Sequence, residues 1–130
     1  MSMTLSCSKQ DRAQKKLGGI WHISEYRYRD LQGFSYYPEV SGELFFENCE
    51  SRPCTYSMSI SYNHPQITGN RTEAGTYLLN DAAESILLTP IANGIEQASL
   101  NNGIIKLTKS DLKFQYVDPD GYAHDFLFER

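Results

Sequence analysis

The segment Tyr56-Ser57-Met58-Ser59-Ile60-Ser61-Tyr62 alternates large apolar residues with serine, without a break. Successive side chains of an extended strand point to opposite faces. Tyr56, Met58, Ile60 and Tyr62 therefore share one face and the three serines the other. Such a segment predicts a strand with one dry face and one wet face, and the dry face has to be covered.

Neighbouring segments repeat the pattern. Ser41 to Asn48 sets Gly42, Leu44 and Phe46 against Ser41, Glu43 and Glu47, with Phe45 breaking the polar face. The two runs flank Cys49 to Cys54 and read as one hairpin. Gly75 to Leu79 and Ser85 to Thr89 are strands joined through Asn80-Asp81-Ala82-Ala83, a turn-forming composition. Asn93-Gly94 and Asn102-Gly103 offer the positive backbone torsions of tight turns; they bracket a strand from Ile95 to Leu100, and Ile104 to Leu107 follows. Thr108-Lys109-Ser110-Asp111 is a tight polar connection. Leu112 to Val117 and Tyr122 to Arg130 are linked by Asp118-Pro119-Asp120-Gly121, the strongest hairpin signal in the chain.

Eight or nine short strands with frequent turns predict a sandwich or a barrel. In a chain of 130 residues, an antiparallel up-and-down barrel of about eight strands removes the exposed edges that invite aggregation. The domain is expected over 17–130. Residues 1–16 read as the end of a signal segment and a flexible tether; 8–16 could form a turn of helix but carry too few apolar side chains to dock it.

The net charge of −4, with basic residues scattered, argues against nucleic acid, whose phosphates need clustered Lys and Arg. No stretch is long and apolar enough to span a bilayer as a helix. Nine Tyr, six Phe and one Trp suit a sheet-rich protein. Catalysis has little support: no Ser–His–acid spacing, metalloprotease motif or phosphate loop is present. His22 with Glu25, or His124 with Asp125, are groups capable of acid–base work, but both pairs read as ordinary strand residues and no enzyme is expected. No cofactor is expected either.

Cys49 and Cys54 enclose a short polar segment and read as a disulfide, implying an oxidising compartment. The alternatives are two free thiols, or zinc with His22, His64 or His124, although those histidines lack the paired spacing of structural zinc sites. Cys7 follows Met3-Thr4-Leu5-Ser6 and precedes a polar stretch. This resembles the end of a bacterial lipoprotein signal peptide, in which the cysteine is lipidated; Thr4 stands where that motif usually has Leu. The alternative is a native start with an incidental cysteine.

Leu17-Gly18-Gly19-Ile20-Trp21 resembles the Gly-x-Trp signature of lipocalins, and Phe126-Leu127-Phe128-Glu129-Arg130 resembles their last strand with its basic residue. With Gly75-Thr76-Tyr77 and Lys109-Ser110-Asp111-Leu112-Lys113-Phe114, the order of motifs is similar to the lipocalin-like domains of small Gram-negative envelope lipoproteins. The resemblance implies that Trp21 plugs one barrel end, that Arg130 lies across it and that Gly19 belongs to the same closure. It also implies an outer-membrane lipoprotein facing the periplasm or the exterior, touching the membrane only through its lipid anchor.

The first strand holds a parity conflict. Trp21 shares a face with Ile23, Glu25, Arg27 and Arg29, whereas Tyr26 and Tyr28 lie on the other. Either a bulge near Ser24 or Glu25 turns both Trp21 and the tyrosines inward, or Arg27 faces the interior and holds a ligand carboxylate. Two functions follow. One is a barrel binding a small apolar or amphipathic molecule at its open end, walled by Tyr26, Tyr28, Tyr56, Met58, Tyr62 and Tyr116. The other is a protein-interaction module resembling periplasmic lysozyme inhibitors, which would meet an envelope protein through Phe34, Tyr36 and Tyr37 and the Cys49 to Cys54 loop.

Overall fold

Alternation of the predicted kind runs through almost the whole chain, and the strands it produces pair with their sequence neighbours. The computed structural model describes residues 9–49, 53–65 and 67–130. A helix, α1 (Lys9–Leu17), precedes β1 (Gly19–Arg29), β2 (Ser35–Tyr36), β3 (Glu39–Phe46), β4 (Cys54–His64), β5 (Ile67–Leu79), β6 (Ser85–Ala92), β7 (Ile95–Glu96), β8 (Leu100–Leu107), β9 (Asp111–Val117) and β10 (Ala123–Glu129). The order β10-β9-β8-β6-β5-β4-β3-β1 is a meander, and β10 pairs with β1 to seal it. The fold is a closed, eight-stranded antiparallel β-barrel, with β2 and β7 as short flaps on β1 and β6.

Burial follows period two. Cys54, Tyr56, Met58 and Ile60 are buried while Thr55, Ser57, Ser59 and Ser61 are exposed. The parity conflict in β1 is resolved by a bulge. The β1–β10 register slips between Ile23 and Glu25, so Ser24 is the extra residue and Trp21, Ile23 and Tyr26 are all buried. Arg27 then faces outward, where its Nε donates to Asp125 Oδ2 at 2.6 Å. A second bulge between Ile104 and Lys106 leaves Ile105 half exposed on the outer wall.

One end of the barrel is sealed. Residues 9–16, read above as part of a flexible tether without enough apolar surface to dock, instead belong to α1. The helix buries only Ala13 and Leu17, but Leu17 is wholly inaccessible. The remaining attachment is polar, which a count of apolar residues misses. Gln10 Nε2 donates to Leu79 O at 2.8 Å, Gln14 Nε2 donates to the Tyr77 hydroxyl, and that hydroxyl donates to Glu47 O at 3.0 Å. Asp11 in the first turn and Lys15 and Lys16 in the last suit the helix dipole. Trp21 lies beneath, its Nε1 donating to Leu17 O at 2.8 Å.

Two strand boundaries differ from expectation. Asn93 (φ 54°) and Gly94 (φ 76°) do form the β6–β7 turn. Asn102-Gly103 does not turn: both lie within β8, and Asn102 is fully buried, with its Nδ2 donating to Leu100 O. The strand expected from Ile95 to Leu100 shrinks to Ile95–Glu96. A disulfide joins Cys49 and Cys54 with Cα atoms 5.4 Å apart. Cys7 and the intervening 50–52 lie outside the described residues.

Candidate ligand-binding site

The register stacks inward residues of β1, β10 and β9 in layers. Nearest the open end, Tyr28 opposes His124 and His124 opposes Tyr116; below them Tyr26 opposes Phe126, and Phe126 opposes Phe114. Ring centroids lie 4.8 Å apart for Tyr26 and Phe126 and 4.6 Å for Tyr116 and His124, within the range of stabilising aromatic pairs. Across the barrel Tyr62 meets the Tyr26 ring edge-on at 5.3 Å. Tyr62 also covers Gly69, where an added Cβ would sit 3.0 Å from the Tyr62 hydroxyl.

His124 connects this layer to the rim. Its Nε2 lies 2.9 Å from Asp118 Oδ2 and its Nδ1 2.6 Å from the Tyr26 hydroxyl. An ionised carboxylate only accepts, so Nε2 carries the proton in the neutral ring and Nδ1 accepts from Tyr26. Burial raises the Asp118 pKa, but the bond to His124 and the backbone N–H groups of Tyr122 and Asp120 outweigh it and hold the carboxyl below its ordinary value. Burial, then the neighbouring phenols, push Tyr26 far above the usual tyrosine range, so it stays a neutral donor.

Deeper in lies a charged group. Arg71 and Glu73 project inward from β5, their side chains only 19% and 15% exposed. Arg71 Nε donates to Glu73 Oε1 at 2.6 Å, and the Tyr56 hydroxyl donates to Glu73 Oε2. Burial raises the Glu73 pKa, yet Arg71 and Tyr56 overcome it and the carboxyl sits below its usual value. Arg71 Cζ lies 5.7 Å from the Tyr116 ring and 6.0 Å from Phe126, in cation–π range. Its Nη1 is buried and has no hydrogen-bond partner among the described residues.

The expected site residues therefore divide. Tyr26, Tyr28, Tyr62 and Tyr116 come together in the open half. Tyr56 does not wall the open end: it belongs to the sealed half, pairing with Phe46 and bonded to Glu73. Met58 is buried beside Leu44 and Glu73 in mid-barrel. At the rim Phe34 and Tyr37 are exposed, while Tyr36 is half buried with its hydroxyl on Asp30. At the sealed end Arg130 lies over Trp21, and a Cβ on Gly19 would come 3.1 Å from Arg130 Nη1.

The sequence predicts a strand only from Gly75, which leaves out Arg71 and Glu73; extending the parity of Tyr77 backward through Gly75 places both inside. Asp125 is the chain neighbour of His124, but adjacent strand residues face opposite ways, and the carboxylate that meets the His124 ring is Asp118.

The described concavities lie on the outer wall. One of about 560 Å³ runs between Glu39, Ser41, Ser61, Asn63, Thr68 and Asn70, and another of about 490 Å³ lies beside Phe45 and Ile91. Neither gathers convergent charged donors.

No protein-family model matches the chain, and no curated protein does. Among solved structures, a redesigned β-barrel is similar over 95% of this chain and 98% of its own, with TM-score 0.55 and 14% identity. Another redesigned β-barrel, mFAP1, solved bound to DFHBI, covers 92% of this chain and 99% of its own at TM-score 0.54 and 13% identity. A de novo designed fluorescence-activating β-barrel covers 91% and 96% at TM-score 0.52 and 13% identity. The likeness is one of fold.

Proposed function

We propose that this protein is a non-enzymatic binding barrel that takes a small amphipathic molecule through its open end, in the setting of a lipid-anchored envelope protein. The observation that carries the reading is the asymmetry of the two ends. One is closed by α1, Trp21 and Arg130. The other is lined by half-buried Tyr28, Tyr62 and Tyr116 around buried polar groups. Rings that present both an apolar face and a hydroxyl suit a ligand with both characters. Barrels of similar fold, mFAP0 and mFAP1, were solved holding DFHBI, a small dye, which supports the capacity of such a frame. The lipid anchor rests on the Cys7 motif, and the oxidising compartment on the Cys49–Cys54 disulfide.

Native mass spectrometry of the protein purified from its own cells tests the binding reading. A retained small molecule is expected, and its retention should drop when Tyr62 and Tyr116 are changed to Ala. A bare chain in repeated gentle preparations counts against it. Palmitate labelling lost on Cys7→Ser tests the anchor.

A second reading has its own observation. Leu31, Phe34, Tyr37 and Val117 are each 56–65% exposed, and the Leu31 side chain leans on Gly121 of the β9–β10 turn. That apolar rim is the surface an envelope protein partner would meet.

A further inference from the structure

Arg71 enters the barrel from the middle of β5, opposite Ile60. Glu73 occupies one side of its guanidinium through Nε and Nη2, leaving Nη1 buried without an acceptor among the described residues. A buried N–H left unpaired costs roughly 1–3 kcal/mol, so each instance calls for an explanation. Tyr116 stands beside it, its ring centroid 5.7 Å from Arg71 Cζ, and Tyr62 covers Gly69, two residues away on the same inward face of β5. Neither the Tyr62 nor the Tyr116 hydroxyl bonds to a described residue, both act electrostatically on Tyr26, and Arg71 acts on Tyr26 and Tyr116 alike.

The group is short of anionic acceptors. Arginine cannot accept, the Glu73 oxygens already receive bonds from Arg71 and Tyr56, and what stands near Nη1 is neutral phenol oxygen, a weaker acceptor than a carboxylate. A carbonyl has one oxygen to offer. A carboxylate has two, with lone pairs enough for a guanidinium N–H and two phenols together, and charge-assisted bonds are the stronger kind. Glu73 neutralises Arg71, so an incoming anion is held by hydrogen bonds and the nearby positive edge rather than by net charge.

We propose that Arg71 Nη1, with the hydroxyls of Tyr62 and Tyr116, is the headgroup site for the carboxylate of an amphipathic acid. This rests on the binding-barrel reading and narrows it to a ligand class. Arg71 replaces Arg27 as the carboxylate-binding arginine, since Arg27 is directed outward onto Asp125.

The test titrates 2-naphthylacetate and its methyl ester into the full chain by calorimetry. The acid is expected to bind about 10-fold tighter than the ester, the ratio that one charge-assisted hydrogen bond supplies. In Arg71→Gln/Glu73→Gln, which removes both charges together, the acid-to-ester ratio measured within the variant should shrink to about twofold or less. Tyr62→Phe/Tyr116→Phe leaves the ion pair in place and should cut the preference in part, so it decides the matter if the first variant does not fold. Equal binding of acid and ester to the parent chain, or a preference that survives in the folded variants, overturns the headgroup site and leaves the barrel reading standing. Failure of both compounds to bind the parent chain overturns both.

Discussion

The guanidinium carbon Cζ of Arg130 lies 3.9 Å from the centroid of the Trp21 ring, joining the residue after β10 to the start of β1. The same side chain donates to the backbone oxygens of Lys16, Gly18 and Lys109. One residue thereby ties the helix–strand junction to the β8–β9 turn. Gly19 makes room: its φ of 116° disfavours a side chain, and Arg130 fills the space one would need.

Arg130→Ala removes the ring contact and three carbonyl bonds. Partial exposure of the guanidinium trims their worth, leaving an expected loss of roughly 2 kcal/mol in urea unfolding. Arg130→Lys keeps the charge but not the planar fork, and should recover less than half of it.

The outward pair Arg27–Asp125 makes a sharper case. Asp125 is 4% exposed although it sits on the outer side of β10, because Arg27 covers it. Arg27→Met leaves that carboxylate buried and unpaired, at an expected cost of roughly 3 kcal/mol. Arg27→Met/Asp125→Leu should return most of the loss, and a double-mutant cycle in urea measures the coupling.

Acid should loosen the barrel from inside. Glu73 has a folded pKa below its ordinary value, so its contribution is complete above the unfolded pKa of about 4.3 and is lost as pH falls through the folded value. Asp118 acts in the same sense at the rim. Melting temperature should therefore fall steeply below about pH 4, and less steeply in Glu73→Gln, which starts from a lower stability at neutral pH. A parallel acid limb in the two proteins would remove Glu73 from the account.

Reduction offers a simpler measurement. Cys49 and Cys54 are separated by 5 positions, and so short a loop constrains the unfolded chain weakly. Dithiothreitol should lower stability by about 2 kcal/mol without unfolding the barrel, as followed by circular dichroism during urea titration.

Much of the fold was legible because period two is local. Tyr56 to Tyr62 declares its own two faces, and Asp118 to Gly121 declares its own turn, whatever the rest of the chain does. The β1 bulge was legible as one of two alternatives, since Trp21 and Tyr26 could not otherwise both be inside; the β1–β10 register decides for it over an inward Arg27. Errors came where a local signal was outvoted. Asn102-Gly103 has turn chemistry, yet its place between β6 and β9 supplies ladder partners on both sides and draws it into β8. Residues 9–16 look too polar to dock, yet Gln10 and Gln14 find partners on β5.

Alternation, turn residues and the Gly-x-Trp start determined by themselves that this chain is a strand-rich barrel, and largely which face of each strand is dry. Arg71 meets Glu73 along one strand, but the polar contacts that join the two ends of the chain were decided by closure. Tyr26 and His124 are 98 positions apart and touch because β10 pairs with β1. A side chain's facing is set by its neighbours along the chain, whereas its partner is set by the register of a ring that exists only once every strand is in place.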